Sequence, residues 1–145
     1  MTKVDLAMLD SVRKKSDTLY TKTYRNEEFA SAEYYVNRKD TTVCQVMKDK
    51  EGNIRQVIIA NRRYRLFTAE YYANGQIKAI LPLDNEGRYN GGSKSFYATG
   101  CVKSEGSYQQ GFYAGEWKNY KEGGELSSTD IYDSNGQLTK TVPAP

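Results

Sequence analysis

The chain has 145 residues, a length that fits one domain with a core large enough to fold without disulfides or metals. Its 21 Lys and Arg nearly balance its 18 Asp and Glu, leaving a formal net charge of +3. That mixture does not predict a nucleic-acid-binding protein, which concentrates basic residues on one face. Histidine is absent, which removes a common zinc ligand and the commonest acid–base group. We therefore expect no metal, no cofactor, no nucleic-acid partner and no enzymatic activity.

Tyrosine is the unusual component of the composition. Thirteen Tyr, four Phe and one Trp supply much of the buryable surface of a chain that is only 38% hydrophobic. Aromatic side chains with a polar tip suit β-sheets, where one end of the ring packs and the other stays in water. The composition therefore favours β structure.

The N-terminal segment has a helical pattern of apolar residues. An amphipathic stripe runs through residues 3–15, and its apolar positions are Val4, Met8, Leu9 and Val12. This spacing and the basic residues 13–15 that follow it fit a short helix, with a frayed tail as the alternative. We therefore assign residues 1–18 to a tail or short helix and residues 19–145 to a single β domain.

The sequence shows neither a membrane span nor a secretory signal. No apolar run approaches the ~20 residues of a membrane span, and the N-terminus lacks the continuous apolar stretch of a secretory signal. The sequence as it stands predicts a cytoplasmic protein without a membrane span. A chain from which a signal peptide had been removed would instead be periplasmic or envelope-associated.

Strand patterns begin at residue 19. Residues 19–36 are rich in Thr, Tyr and Val and predict one or two strands, the second closed by Tyr34 and Tyr35. Residues 41–47 predict another strand.

Internal repeats dominate the rest of the chain. A glycine followed two residues later by an aliphatic residue recurs at Gly52, Gly75, Gly100, Gly124 and Gly136. The first four of these glycines are 23, 25 and 24 residues apart. Such a unit fits two strands of roughly 5–6 residues and their connections, and Asn-Gly pairs favour tight hairpin turns. The repeats therefore predict an antiparallel β-meander of hairpins.

The clearest unit covers residues 97–120 and resembles the MORN-repeat variant family. That family's pattern is roughly Tyr-x-x-Gly-x-Leu-Lys, then Gly-x-Tyr, then Gly-x-x-x-Gly-x-Trp. The matching residues here are Tyr97, Gly100, Val102, Lys103, Gly106, Tyr108, Gly111, Gly115 and Trp117, with Tyr120 after them. The preceding unit keeps Tyr72, Gly75, Ile77, Lys78, Gly87 and Tyr89 and then departs, with GGSKSF at 91–96. The resemblance is good over residues 70–138 and weaker over 45–69.

The resemblance implies a hairpin-repeat fold and a binding function. Many bacterial members are antitoxin or immunity proteins of the YwqK type, which neutralise a toxin by occluding it. We therefore expect a protein partner, a toxin domain in the first instance. The alternatives are an envelope-associated scaffold protein with no toxin partner, or a surface that binds lipid or phosphate.

Aromatic residues outside the repeat pattern are the predicted partner-binding residues. The pattern residues are expected to pack one sheet face, since consensus positions of a repeat are its internal contacts. Tyr71 and Phe96 each adjoin a pattern tyrosine and are expected on the opposite face, while Phe112 and Tyr113 are expected in the turn between Gly111 and Gly115. Exposed aromatics anchor protein interfaces. The alternative is a second packed layer.

A basic cluster and the cysteines complete the predictions. Arg62, Arg63 and Arg65 flank Tyr64, a pattern that fits either a phosphate-binding patch or a solvated face. Cys44 and Cys101 lie more than two repeats apart, which in a regular meander exceeds the ~7 Å that a disulfide allows between Cα atoms. We therefore expect two free thiols, with Cys101 the more reactive.

Overall fold

A computed structural model describes residues 13–25 and 29–145 of the chain. Eleven strands form one antiparallel sheet, and each strand pairs with its neighbours in sequence. This confirms the predicted all-β meander. The strands are β1 (Thr18–Thr23), β2 (Ser31–Asn37), β3 (Thr42–Lys48), β4 (Ile54–Ala60), β5 (Arg65–Tyr71), β6 (Ile77–Pro82), β7 (Gly91–Phe96), β8 (Val102–Gln109), β9 (Phe112–Tyr120), β10 (Leu126–Tyr132) and β11 (Leu138–Pro143).

The predicted N-terminal helix lies almost entirely outside the described residues. Residues 13–15, its last three positions, are helical. The described residues include no helix long and apolar enough to cross a membrane.

One turn geometry recurs at both ends of the strands. After β5, the Tyr72 backbone N–H donates to the Gln76 carbonyl (2.9 Å) and the Gly75 N–H donates to the Tyr72 carbonyl (3.0 Å). Gly75 takes the left-handed conformation, with φ +87. This pattern is a four-residue turn closed by a glycine bulge. The same two hydrogen bonds surround Gly52, Gly87, Gly100, Gly124 and Gly136.

The turn at Asn74-Gly75 is therefore not the two-residue hairpin turn that Asn-Gly pairs favour. Asn74 is absent from the residues with positive φ, and its side chain accepts a hydrogen bond from the Gln76 N–H at 3.0 Å. Only Gly75 of the pair needs the left-handed conformation. The two-residue turn with two positive φ angles is Gln110-Gly111, at 51° and 90°.

The pattern tyrosines join consecutive repeats at the turns. The Tyr72 hydroxyl donates to the Phe96 carbonyl (2.8 Å), and the Tyr97 hydroxyl donates to the Tyr120 carbonyl (2.8 Å). Each bond links one hairpin end to the next, and such a bond contributes about 1 kcal/mol net. The tyrosine spacing in the sequence thus reflects hydrogen bonding between neighbouring hairpins.

The main hydrophobic core cluster lies on one face of the sheet, over β2 to β7. Opposed residues of antiparallel strands share a face, and Val46, Val57, Ala69 and Ile80 are opposed in turn across β3 to β6. Val46 and Val57 are fully buried, at 0% exposure. We call the sheet surface bearing these residues the core face.

The core face becomes charged in the C-terminal half of the sheet. Ile80 is opposed to Lys94, Lys94 to Glu105, and Glu105 to Lys118. One continuous cross-strand row therefore changes from aliphatic to ionic between β6 and β7. Beyond β7 a cluster of aromatic side chains lies on the other face.

Candidate protein-binding face

Five aromatic rings meet on the face opposite the core face. Tyr108 on β8 is directly opposed to Tyr113 on β9, and the Trp117 ring contacts both of their rings, which places it on the same face. Tyr132 on β10 is opposed to Gly115, which places it beside Tyr113. Tyr89, which forms a bridge with Leu83, adds the fifth ring. We call this cluster the aromatic face; its members are Tyr89, Tyr108, Tyr113, Trp117 and Tyr132.

The rings contact one another in a continuous chain. Tyr108 lies 5.1 Å from Tyr89, 5.1 Å from Tyr113 and 4.9 Å from Trp117, measured between ring centroids. Tyr113 lies 5.0 Å from Trp117, edge to face, and stacks on Tyr132 at 4.8 Å. These separations fall in the favourable range for aromatic pairs.

Burial differs sharply within the cluster. Trp117 is 7% exposed, whereas Tyr113 is 44% and Tyr89 41% exposed. Trp117 thus forms the floor, and the tyrosines form an accessible rim. An exposed rim around a fixed aromatic floor provides contact area with little side-chain freedom left to lose on binding.

Trp117 is held in place by the neighbouring strand. Its indole N–H donates to the Ser107 carbonyl at 3.0 Å. Its ring covers Gly106, where an added Cβ would lie 2.3 Å from Trp117 Cδ2. The glycine is therefore required for the ring to cross the backbone so closely.

The surroundings of Tyr108 and Tyr132 keep their hydroxyl groups neutral at physiological pH. The pKa of Tyr108 is raised to about 12. Burial is the main cause, and the neighbouring phenol groups, Tyr113 first among them, add to it. Burial and the Asp130 carboxylate likewise raise the pKa of Tyr132. These two residues therefore present hydroxyl groups that both donate and accept hydrogen bonds.

A carboxylate borders the rings. Asp130 is directly opposed to Trp117 in the sheet. Its Oδ2 accepts a hydrogen bond from Asn119 Nδ2 at 3.0 Å, and its Oδ1 accepts one from Thr141 Oγ1 at 2.7 Å. Two donors from adjacent strands therefore fix the carboxylate beside the aromatic face.

The four predicted partner-binding residues do not form one surface. The expected exposure is wrong for Tyr71 and Phe96, which are only 3% and 7% exposed and belong to the core cluster. Tyr71 alternates with Ala69 along β5 and so points to the core face. Tyr72 lies in the turn after β5, so its hydroxyl reaches the next hairpin. The pattern tyrosine is thus a link between hairpins, and its neighbour is a core residue.

Phe112 and Tyr113 are exposed but diverge. Both were expected in a turn, yet they are the first two residues of β9. They point to opposite faces, and only Tyr113 joins the aromatic face. Phe112, 58% exposed, packs against the β10–β11 turn, where a Cβ on Gly136 would lie 2.6 Å from Phe112 Cβ.

The basic cluster lies at the β4–β5 connection. Arg62 and Arg63 are in the turn and Arg65 begins β5, so the three arginines do not lie on one strand. All three side chains are exposed. The Asn61 side chain orders the turn by accepting hydrogen bonds from the backbone N–H groups of Arg63 (2.9 Å) and Tyr64 (2.8 Å). Phosphate binding there stays a prediction.

A charged depression of about 480 Å³ lies on the core face over β7 to β9. Lys94 Nζ lies 3.5 Å from Glu105 Oε2, and the Tyr120 hydroxyl donates to Glu105 Oε1 at 2.7 Å. The Tyr120 hydrogen bond and the two nearby lysines lower the pKa of Glu105. These opposed charges satisfy one another, which is typical of a stabilising surface network.

Both thiols are free, as predicted. Cys44 is buried and Cys101 is exposed. Within the described residues, no group of three or more Cys, Asp or Glu is placed to hold a metal ion.

The sequence prediction missed Tyr89 and Tyr132 as members of the site. The sequence does contain a signal that pairs Tyr113 with Tyr108. A two-residue turn at Gln110-Gly111 makes residues at equal distances before and after the turn face each other. Tyr108 and Tyr113 are such a pair. Tyr89 lies in an isolated bridge before β7 and Tyr132 lies on β10, and only the pairing of the strands brings them to the same place.

Comparison with known proteins adds no relative. No protein-family model matches the chain, and no curated protein matches its sequence. The MORN-variant resemblance therefore stays a prediction that rests on the repeat residues.

Proposed function

We propose that this protein is a non-catalytic protein-binding module whose aromatic face contacts the partner. The observation that supports this most directly is the ring cluster itself, in which Tyr89 and Tyr113 remain more than 40% exposed around the buried Trp117. Tyr and Trp are enriched among the residues that dominate binding energy at protein interfaces.

The geometry suits a broad contact. The rings span β8, β9 and β10 and continue to Tyr89 near the start of β7. Because they are already packed against each other, a partner would bury them without having to order them first. A flat, prearranged surface fits occlusion of another protein better than enclosure of a small molecule.

We further propose that the partner is a toxin domain and that this chain is its antitoxin or immunity protein. The support for this finer proposal is the resemblance of residues 97–120 to repeats found in such proteins. The scaffold alternative makes a different prediction, since its partner would be harmless when expressed alone.

Photo-crosslinking tests the surface. A photoreactive phenylalanine analogue is placed at Tyr113 and, as a matched control, at Tyr20. Tyr20 is 43% exposed and stacks on Tyr34 at 4.7 Å, so it reproduces the exposure and packing of Tyr113 away from the aromatic face. In extracts of the organism that carries the gene, we expect one dominant protein adduct from position 113 and none from position 20.

Two outcomes separate the proposals. Equal adducts from positions 113 and 20, or adducts from 20 alone, would refute the aromatic face as the binding surface. If a captured partner arrests growth when expressed alone, and this chain restores growth, the antitoxin proposal is supported. A captured partner that is harmless would instead favour the scaffold alternative.

A further inference from the structure

The charges of the C-terminal strands are sorted between the two sheet faces. Lys94 and Lys118 share the core face because each is directly opposed to Glu105. Lys140 is opposed to Ile131, which is opposed to Glu116, so this lysine also lies there.

The side with the aromatic face has the opposite character. Along β7 to β11 its strand residues are Gly, Ser, aromatic, Asn, Thr, Leu and Pro, with Asp130 as the charged residue. Aromatic rings carry negative potential above their faces. The rings and Asp130 therefore make a surface with negative potential above the ring faces and no cation among its strand residues.

Other tyrosines of this sheet already have a cation from the chain itself. Lys78 Nζ lies 5.7 Å from the Tyr72 ring, and Lys103 Nζ lies 5.8 Å from the Tyr97 ring. Lys22 Nζ lies 5.3 Å from the Tyr34 ring, in the exposed pair that Tyr34 forms with Tyr20. Stacked or turn tyrosines in this fold are thus repeatedly paired with an ammonium group.

The rings of the aromatic face have no such partner among the described residues. The nearest arginine in sequence, Arg88, adjoins Tyr89 but is engaged by Asp84 Oδ2 at 2.9 Å and Glu86 Oε2 at 3.1 Å. The largest ring cluster of the sheet is therefore the one without a bound cation.

We propose that the aromatic face receives a cationic, arginine-bearing segment of the partner protein. This inference rests on the proposed protein-binding function and specifies the chemistry of the partner. A guanidinium group stacks flat on aromatic rings and also pairs with a carboxylate. Each Asp130 oxygen accepts one hydrogen bond within the chain and keeps a lone pair for a further donor. Tyr113 supplies the ring and Asp130 the charge.

The test uses Trp117, the chain's single tryptophan, as a built-in reporter. Its fluorescence is followed while the whole protein is titrated at low salt with a short alternating Gly-Arg peptide. Gly-Lys, Gly-Ser and proline-rich peptides of equal length serve as comparisons. We expect a saturable change with the arginine peptide and binding at least roughly fivefold tighter than that of the lysine peptide.

Matched variants locate the binding. Tyr113→Leu and Asp130→Asn should each weaken binding of the arginine peptide roughly fivefold or more. Tyr20→Leu removes an equally exposed ring, and Glu116→Gln removes an equal charge from the core face, so both should bind like the wild type. Unfolding midpoints of all four variants show whether any loss of binding reflects loss of the fold.

The outcomes separate failure of this inference from failure of the proposed protein-binding function. Arginine-peptide binding that survives Tyr113→Leu and Asp130→Asn in folded protein overturns the inference, as does the absence of binding. A response to the proline-rich peptide alone, lost in Tyr113→Leu, overturns the cationic partner but leaves the aromatic face as a protein-binding surface. Failure of the protein-binding function itself is read from the crosslinking at position 113.

Discussion

Replacing Gly106 with alanine tests how the aromatic face is built. In the folded structure the new Cβ would lie 2.3 Å from Trp117 Cδ2 and 2.5 Å from Cε2. Comfortable carbon–carbon contacts begin near 3.5 Å, so the indole ring must retreat by about 1 Å. The ring cannot do so freely, because Tyr108 and Tyr113 contact it edge to face and Ser107 accepts its N–H.

The energetic cost of Gly106→Ala comes from the packing and the hydrogen bond that the displaced Trp117 ring loses. Overpacking of a closely fitted site costs roughly 1–3 kcal/mol, and loss of the indole hydrogen bond costs about 1 kcal/mol. We therefore expect Gly106→Ala to lower the free energy of unfolding by about 3 kcal/mol. For a domain of this size that loss corresponds to a fall in Tm of roughly 10 °C.

Urea and thermal denaturation, followed by Trp117 fluorescence and far-UV circular dichroism, measure this cost. Gly92→Ala is the matched control, since Gly92 is a strand glycine on the adjacent β7 with nothing within 4 Å of its added Cβ. It should be neutral or stabilising by up to about 1 kcal/mol. In a Trp117→Leu background, Gly106→Ala should cost less than about 1 kcal/mol, because the clash is gone. A wild-type-like stability of Gly106→Ala alone would refute the reasoning.

Three further predictions concern the reactivity of the two thiols, the titration of Tyr108, and the burial of Phe96 and Tyr113. Thiol titration of the native protein should detect Cys101 quickly and Cys44 only on unfolding, because burial raises the pKa of Cys44 to about 11. Burial and neighbouring phenols raise the pKa of Tyr108 from 10.0 to about 12, so its stabilising contribution is complete below pH 10 and is lost as pH rises through 12. Between about pH 8 and 11.5, the wild type should therefore lose more unfolding free energy than Tyr108→Phe; equal losses would contradict this. In urea, Phe96→Ala should cost roughly 3–5 kcal/mol as a core truncation, and exposed Tyr113→Ala about 1 kcal/mol or less; the reverse order would mean that their burial is misassigned.

The sequence by itself determined the class and order of the sheet. Turn glycines such as Gly75 and Gly100, together with strand-length segments between them, specify hairpins through contacts that are local in the chain. Because each strand of such a meander pairs with its neighbours in sequence, the strand order follows from the chain order. The free thiols of Cys44 and Cys101 were predictable for the same reason.

Only the tertiary structure decided which side chains face the core and which meet in the candidate site. The pairing opposite Tyr71 and Phe96 leaves one extra residue on each partner strand, Lys78 on β6 and Lys103 on β8. Such bulges interrupt the two-residue alternation of β6 and β8, so a face cannot be extrapolated from one repeat to the next. The packing of β2 to β7 then selected the face of Tyr71 for burial, because that face presents the continuous aliphatic row. Cross-strand register, which joins residues far apart in the chain, brought Tyr132 beside Tyr113 and created the aromatic face.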